Sequence, residues 1–125
     1  MDDDRTVTLV EVGPRDGLQN EKAVIATQDK LALIERLADA GLTRIEATAF
    51  VSPKWVPQMA DADEVLAGVS RKAGVSYPVL VPNVQGLERA FAAGVGEIAV
   101  FTAASSAFTQ KNINATVEES LARLA

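Results

Sequence analysis

Four short runs rich in β-branched residues alternate with four helical stretches along this chain, and no hairpin signal joins any two of the runs. The first run, residues 6–12 (TVTLVEV), is stopped by Gly13-Pro14 and reads as a strand. Residues 44–49 (RIEATA), 77–81 (YPVLV) and 97–101 (EIAVF) read as the second, third and fourth strands. Between them, Leu31, Ile34, Leu37 and Ala38 form an apolar stripe at helical spacing, with Thr27 as its N-cap and Gly41 as its stop. A second helix runs through Val65, Leu66 and Val69. A third is capped by Asn83 and turns Val84, Leu87, Ala90 and Phe91 inward before Gly94. Thr116 with Glu119 forms a capping box that opens the last helix, after a loop over residues 102–115.

Strict strand–helix alternation implies a parallel sheet with right-handed crossovers. Two architectures share that pattern, an open doubly wound sheet and a closed barrel, and both place chemistry at the C-terminal ends of their strands. The loops decide between them. A doubly wound nucleotide binder carries a glycine-rich turn after its first strand, whereas this chain has Gly13-Pro14-Arg15-Asp16-Gly17, without the spacing of a phosphate cradle. The expected fold is therefore α/β, with parallel (β/α) units of a TIM barrel, about four of the eight present. A barrel closes with eight strands in roughly 250 residues, and this chain has 125. Residues 1–125 read as a single structural unit, the N-terminal half of a barrel, and the end of the chain reads as a truncation. The exposed edges of such a half-barrel need its C-terminal half or a second copy of itself.

Composition narrows the chemistry. A net charge of −5 disfavours nucleic acid and anionic membrane as partners. No apolar run approaches the roughly 20 residues that span a bilayer. The start, Met1-Asp2-Asp3-Asp4, has no apolar segment of the signal-peptide kind, so a cytoplasmic location is expected. The chain has neither Cys nor His, which excludes a thiolate nucleophile, a Ser-His-Asp relay and imidazole ligation of a metal. Carboxylates, Arg, Lys, backbone groups or a hard metal ion remain.

Arg15 and Asp16 leave the end of the first strand side by side. Glu46 lies in the second strand in phase with Arg44 and Thr48, opposite Ile45, Ala47 and Ala49. With the apolar set against the helices, Glu46 points into the barrel, where a carboxylate is costly unless paired, hydrogen-bonded or on a metal. On residue types alone, a catalytic corner and an ion pair that merely pins the loops fit equally well. Lys22, Lys54 and Lys111 fall in loops and read as solvated. Trp55, between Pro53 and Pro57, reads as a hydrophobic anchor for its loop, and Asn112 and Asn114 as residues ordering the loop before the last helix.

Three blocks carry a family resemblance. The run Val10-Glu11-Val12-Gly13-Pro14-Arg15-Asp16-Gly17-Leu18-Gln19-Asn20-Glu21 resembles the first-strand signature of 3-hydroxy-3-methylglutaryl-CoA lyases, whose wider TIM-barrel superfamily shares only the Arg-Asp-Gly-x-Gln core. A second block, residues 45–61 (IEATAFVSPKWVPQMAD), is more particular to the lyase. A third, residues 101–114 with Lys111-Asn112-Ile113-Asn114, agrees as well. The similarity runs in order from about residue 6 to the end.

The resemblance implies a metal-dependent carbon–carbon lyase that splits 3-hydroxy-3-methylglutaryl-CoA into acetyl-CoA and acetoacetate with Mg2+ or Mn2+. It implies Asp16 as a metal ligand and Arg15 as the group that stabilises the enolate oxygen of the departing acetyl-CoA. Glu46 would be an active-site carboxylate that handles protons or orients its neighbours, and Gln19 and Asn112 would lie near the acyl-CoA substrate. The family completes its metal site with a His-x-His pair and an Asn from later strands, and carries a catalytic Cys on a glycine-rich loop; this sequence has none of the His or Cys. The chain alone is therefore expected to be inactive. Ala49 and Ser106 stand where many relatives have Ser and Glu. Two alternatives stay open: a related Claisen-condensing synthase of the same superfamily, and a non-catalytic half-barrel that self-associates. The segment Ser52-Pro53-Lys54-Trp55-Val56-Pro57-Gln58 speaks against the synthase.

Overall fold

The structure, a computed structural model, describes residues 5–125; the acidic start on which the signal-peptide expectation rests lies outside the described residues. Three parallel strands form one sheet in the order β1 (Thr48–Ala49), β2 (Val79–Leu80), β3 (Ile98–Ala99). The register pairs Thr48 with Val79 and Ala49 with Leu80, then Val79 with Ile98 and Leu80 with Ala99. Single bridges continue the sheet toward the start of the chain, Arg44 to Ser76 and Glu11 to Ile45.

Helices α1 (Thr27–Asp39), α2 (Ala62–Gly68), α3 (Val84–Ala92) and α5 (Val117–Leu124) fall where the apolar spacing predicts them. Their ends follow from local chemistry. Gly41, at φ +104°, takes the left-handed position after α1, so that its N–H reaches Ala38 O and the next N–H, from Leu42, reaches back to Leu37 O. The Asn83 side chain accepts from Gly86 N at 2.8 Å, and Thr116 Oγ1 accepts from Glu119 N at 3.1 Å.

Three expectations are corrected. Residues 6–12 do not form a strand: only Glu11 bridges to the sheet, while Val7 and Leu9 are exposed. A ladder needs paired neighbours, and among the described residues this segment has one, on one side only. Thr27 does not cap α1; Ala26 holds that position, and the Thr27 hydroxyl donates to Asp61 Oδ2 at 2.6 Å instead. The expected loop over residues 102–115 contains a helix, α4 (Ser106–Ile113), capped by the Ser105 side chain accepting from Phe108 N and closed by Asn114 at φ 50°.

The core explains why this is barrel-like. Ile34 and Ala38 of α1 pack with Ile45, Ala47, Val65 and Tyr77, and Ala62 and Leu66 of α2 pack with Phe50, Val79, Val81 and Ala90. Neighbouring residues of α2, Val65 and Leu66, join the two clusters into one continuous layer. Each fully buried Ile, Val, Leu or Phe among them contributes about 1.5–3 kcal/mol, and each alanine less. Among the described residues strand order follows chain order without reversal, and no switch point of the doubly wound kind occurs. Ala49 departs from its expected companions Ile45 and Ala47; it packs with Met59 and Leu80, next to Leu18, Val51, Val56 and Phe101. That third cluster lies under the loops that follow the strands.

Candidate active site

The segment after Val12 is an over-wide turn rather than a loop. Residues Gly13–Gly17 form a one-turn π-helix in which the N–H groups of Arg15, Asp16 and Gly17 converge on Val12 O at 3.2, 2.7 and 3.2 Å. Pro14 is buried in its first turn, and Glu11 Oε1 accepts from Gly13 N at 2.8 Å. Single π-turns of this kind recur at functional sites because they re-aim side chains without breaking the backbone hydrogen bonding.

The turn delivers Arg15 to Glu46. Arg15 Nε donates to Glu46 Oε1 at 2.5 Å, and Arg15 Nη1 lies 3.4 Å from Asp16 Oδ1. Burial differs along this row: the Glu46 side chain is 8% exposed, Arg15 18% and Asp16 53%. A charge-assisted bond with so little water around it holds the guanidinium plane more firmly than a surface pair would. Asn20 Nδ2 donates to Asp16 O at 2.9 Å and approaches its Oδ1 at 3.5 Å, which steadies the outer carboxylate.

A cavity of about 890 Å³ opens above this row, lined among others by Arg15, Asp16, Gln19, Ser52, Trp55 and Asn112. Four of the five site residues expected from sequence thus share one cavity. Glu46 is the fifth; it is not among the lining residues and stands behind Arg15. Gln19 lines the cavity, and its Oε1 is buried and accepts no hydrogen bond from the described residues. Asn112 is on helix α4, not in a loop, and its Nδ2 donates to Phe108 O at 2.8 Å. Lys111 is helical too. Trp55 anchors nothing: it is 79% exposed, with Lys54 Nζ 5.9 Å from its ring centre. Sequence reasoning missed α4 as a cavity wall, although a Ser at 105 and an Asn nine residues later are ordinary helix-end signals.

For a divalent cation, the donor set here fits one coordination position. Asp16 offers a hard, exposed carboxylate at the cavity mouth, while Glu46 is committed to Arg15. No group of three or more His, Cys, Asp or Glu converges among the described residues. Mg2+-type ions accept such a site when other oxygen donors and waters complete it.

The sequence matches the HMGL-like family over residues 6–125. The chain belongs to that family. HMGL-like relatives include a mitochondrial hydroxymethylglutaryl-CoA lyase from Gallus gallus, 60% identical over 117 residues, which cover 94% of this chain and 39% of the relative. A cytoplasmic 3-hydroxy-3-methylglutaryl-CoA lyase from Rattus norvegicus is 59% identical over 117 residues, 94% of this chain and 34% of the relative. The crystal structure of hydroxymethylglutaryl-CoA lyase from Pseudomonas aeruginosa superposes with a TM-score of 0.89 at 57% identity, over 94% of this chain and 39% of that one. The chain thus spans well under half the length of these relatives, and its parallel βα units are part of a TIM barrel of the HMGL-like kind. Relatives of both mitochondrial and cytoplasmic description occur.

Proposed function

We propose that this chain supplies the Arg15–Asp16–Glu46 corner of a divalent-metal-dependent lyase that cleaves 3-hydroxy-3-methylglutaryl-CoA to acetyl-CoA and acetoacetate. The observation that carries the reading is the guanidinium of Arg15, fixed from behind by Glu46 and facing the cavity beside an exposed carboxylate.

In the reaction the 3-hydroxyl loses its proton, the bond from C3 to the carbon beside the thioester breaks, and its electron pair passes to the thioester as an enolate that then takes up a proton. Arg15 supplies positive charge where the enolate oxygen develops, worth about 3 kcal/mol by analogy with other oxyanion donors. Glu46 orients that guanidinium and holds it in place. Gln19 and Asn112 line the cavity and contact the substrate from its walls. Asp16 would hold Mg2+ or Mn2+, and such an ion supplies Lewis-acid activation of the substrate hydroxyl without a strong base. Residues 1–125 act as one structural unit, and the remaining ligands come from the C-terminal half of the barrel.

The test is acetoacetate release with Mn2+, comparing this chain alone with the chain plus a separately expressed C-terminal half. Turnover in the mixture that disappears with Asp16→Ala is the expected result. Halves that associate yet release no acetoacetate would sink the reading.

A further inference from the structure

One charged residue is buried deeper than any group used above. Lys30 is 2% exposed and shares its helix face with Ile34 and Ala38, at successive four-residue steps on α1. A Leu or Met would serve that face at less cost, because a buried ammonium loses its hydration. Its partners show what the cation does there. Lys30 Nζ lies 2.6 Å from Asp61 Oδ1 and donates to Gln58 O at 2.5 Å. Asp61 Oδ2 accepts in turn from the Thr27 hydroxyl at 2.6 Å, and Gln58 Nε2 donates to Glu21 O at 2.9 Å.

All these bonds grip the far end of one segment, the connection from β1 to α2. At its near end, Arg89 Nη1 donates to Val51 O at 3.3 Å. Between the two grips the chain winds on itself, with Trp55 N and Val56 N bonded to Ser52 O and Met59 N bonded to Val56 O. That stretch presents Ser52, Trp55 and Val56 to the cavity. The mechanism uses neither Lys30 nor Asp61, and neither lines the cavity.

We propose that Lys30 is a positioning residue: through Gln58 and Asp61 it sets the cavity wall made by Ser52, Trp55 and Val56, and so the grip on an acyl-CoA substrate. The substrate part of this inference rests on the lyase reading; the wall does not. None of the side-chain bonds that hold this wall involves Arg15 or Glu46, so loosening it weakens binding more than it slows bond cleavage.

Lys30→Met in the full-length polypeptide tests this with two readouts. Amide hydrogen exchange at Trp55, Val56 and Met59 is expected to accelerate about tenfold or more, with Ala47 and Phe50 in the sheet unchanged. KM for 3-hydroxy-3-methylglutaryl-CoA is expected to rise at least about fivefold while kcat stays within about threefold. Should Lys30→Met not fold, Lys30→Met/Asp61→Leu removes both charges, leaves none unpaired, and carries the same expectations. Equal acceleration at all five amides, or no local acceleration, overturns the proposal, as does a fall in kcat with KM unmoved. If the unmutated protein turns over no 3-hydroxy-3-methylglutaryl-CoA, the lyase reading falls, and the exchange pattern alone still decides the role of Lys30.

Discussion

Arg15 and Glu46, 31 positions apart in sequence, meet through a single Nε–Oε1 bond of 2.5 Å, with the carboxylate the more deeply buried of the two. The pair is unequal in what each loss exposes. Arg15→Met removes the charge at the cavity and leaves Glu46 buried without its cation. Glu46→Ala leaves a guanidinium that can turn toward Asp16. Turnover of the assembled enzyme is therefore expected to fall about 100-fold or more for Arg15→Met. Glu46→Ala should cost on the order of 1–3 kcal/mol of stability and a smaller part of the rate. Initial rates and urea melts of both variants check this; wild-type turnover in Glu46→Ala would show that Arg15 needs no orienting partner.

Helix α3 approaches the end of β1 closely enough that only glycine fits. A Cβ added to Gly86 would stand 2.4 Å from Phe50 O, a backbone atom that cannot swing aside. Gly86→Ala is expected to lower stability by about 2 kcal/mol through a forced shift of helix or strand. Gly96→Ala, whose added Cβ meets nothing within 4 Å, is the control. Equal urea midpoints for the two variants would contradict the close approach.

Asn114 closes α4 at φ 50° and its Oδ1 accepts from Gln110 Nε2 at 2.9 Å. Alanine there keeps the left-handed strain and loses the bond, at a cost of about 1–2 kcal/mol. Glycine relieves the strain and should fall between alanine and the native residue. Thermal midpoints of the three proteins in one buffer give the order directly; alanine matching asparagine would refute it.

The sequence was most readable where burial is one-sided and local. Ile45 and Ala47 on the helix side, with Glu46 opposite, follow from period-two alternation, and Glu46 meets Arg15 as that phase requires. Helix α1 announces itself by its apolar stripe, whereas on α3 only Leu87 and Ala90 turn inward as expected, and Val84 and Phe91 are 65% and 67% exposed. Legibility fails where partners are distant or the pattern is weak. Val7 and Leu9 have strand composition, but composition cannot supply a neighbouring strand. Helix α4 buries only Thr109 and so has little stripe to read. Lys30 looks like a solvent-facing lysine until it is placed in step with Ile34 and Ala38, and its carboxylate partner lies 31 residues onward.

The π-turn at Gly13–Gly17 has a consequence for how this region can vary. Three N–H groups share one carbonyl there, so the turn holds one residue more than an α-turn would. Helical residues advance about 100° each, and losing one would rotate Arg15 off the line to Glu46 by roughly that angle. The length of the turn is therefore fixed: the reach of Arg15 to its partner is a matter of counting, correct at five residues and lost at four.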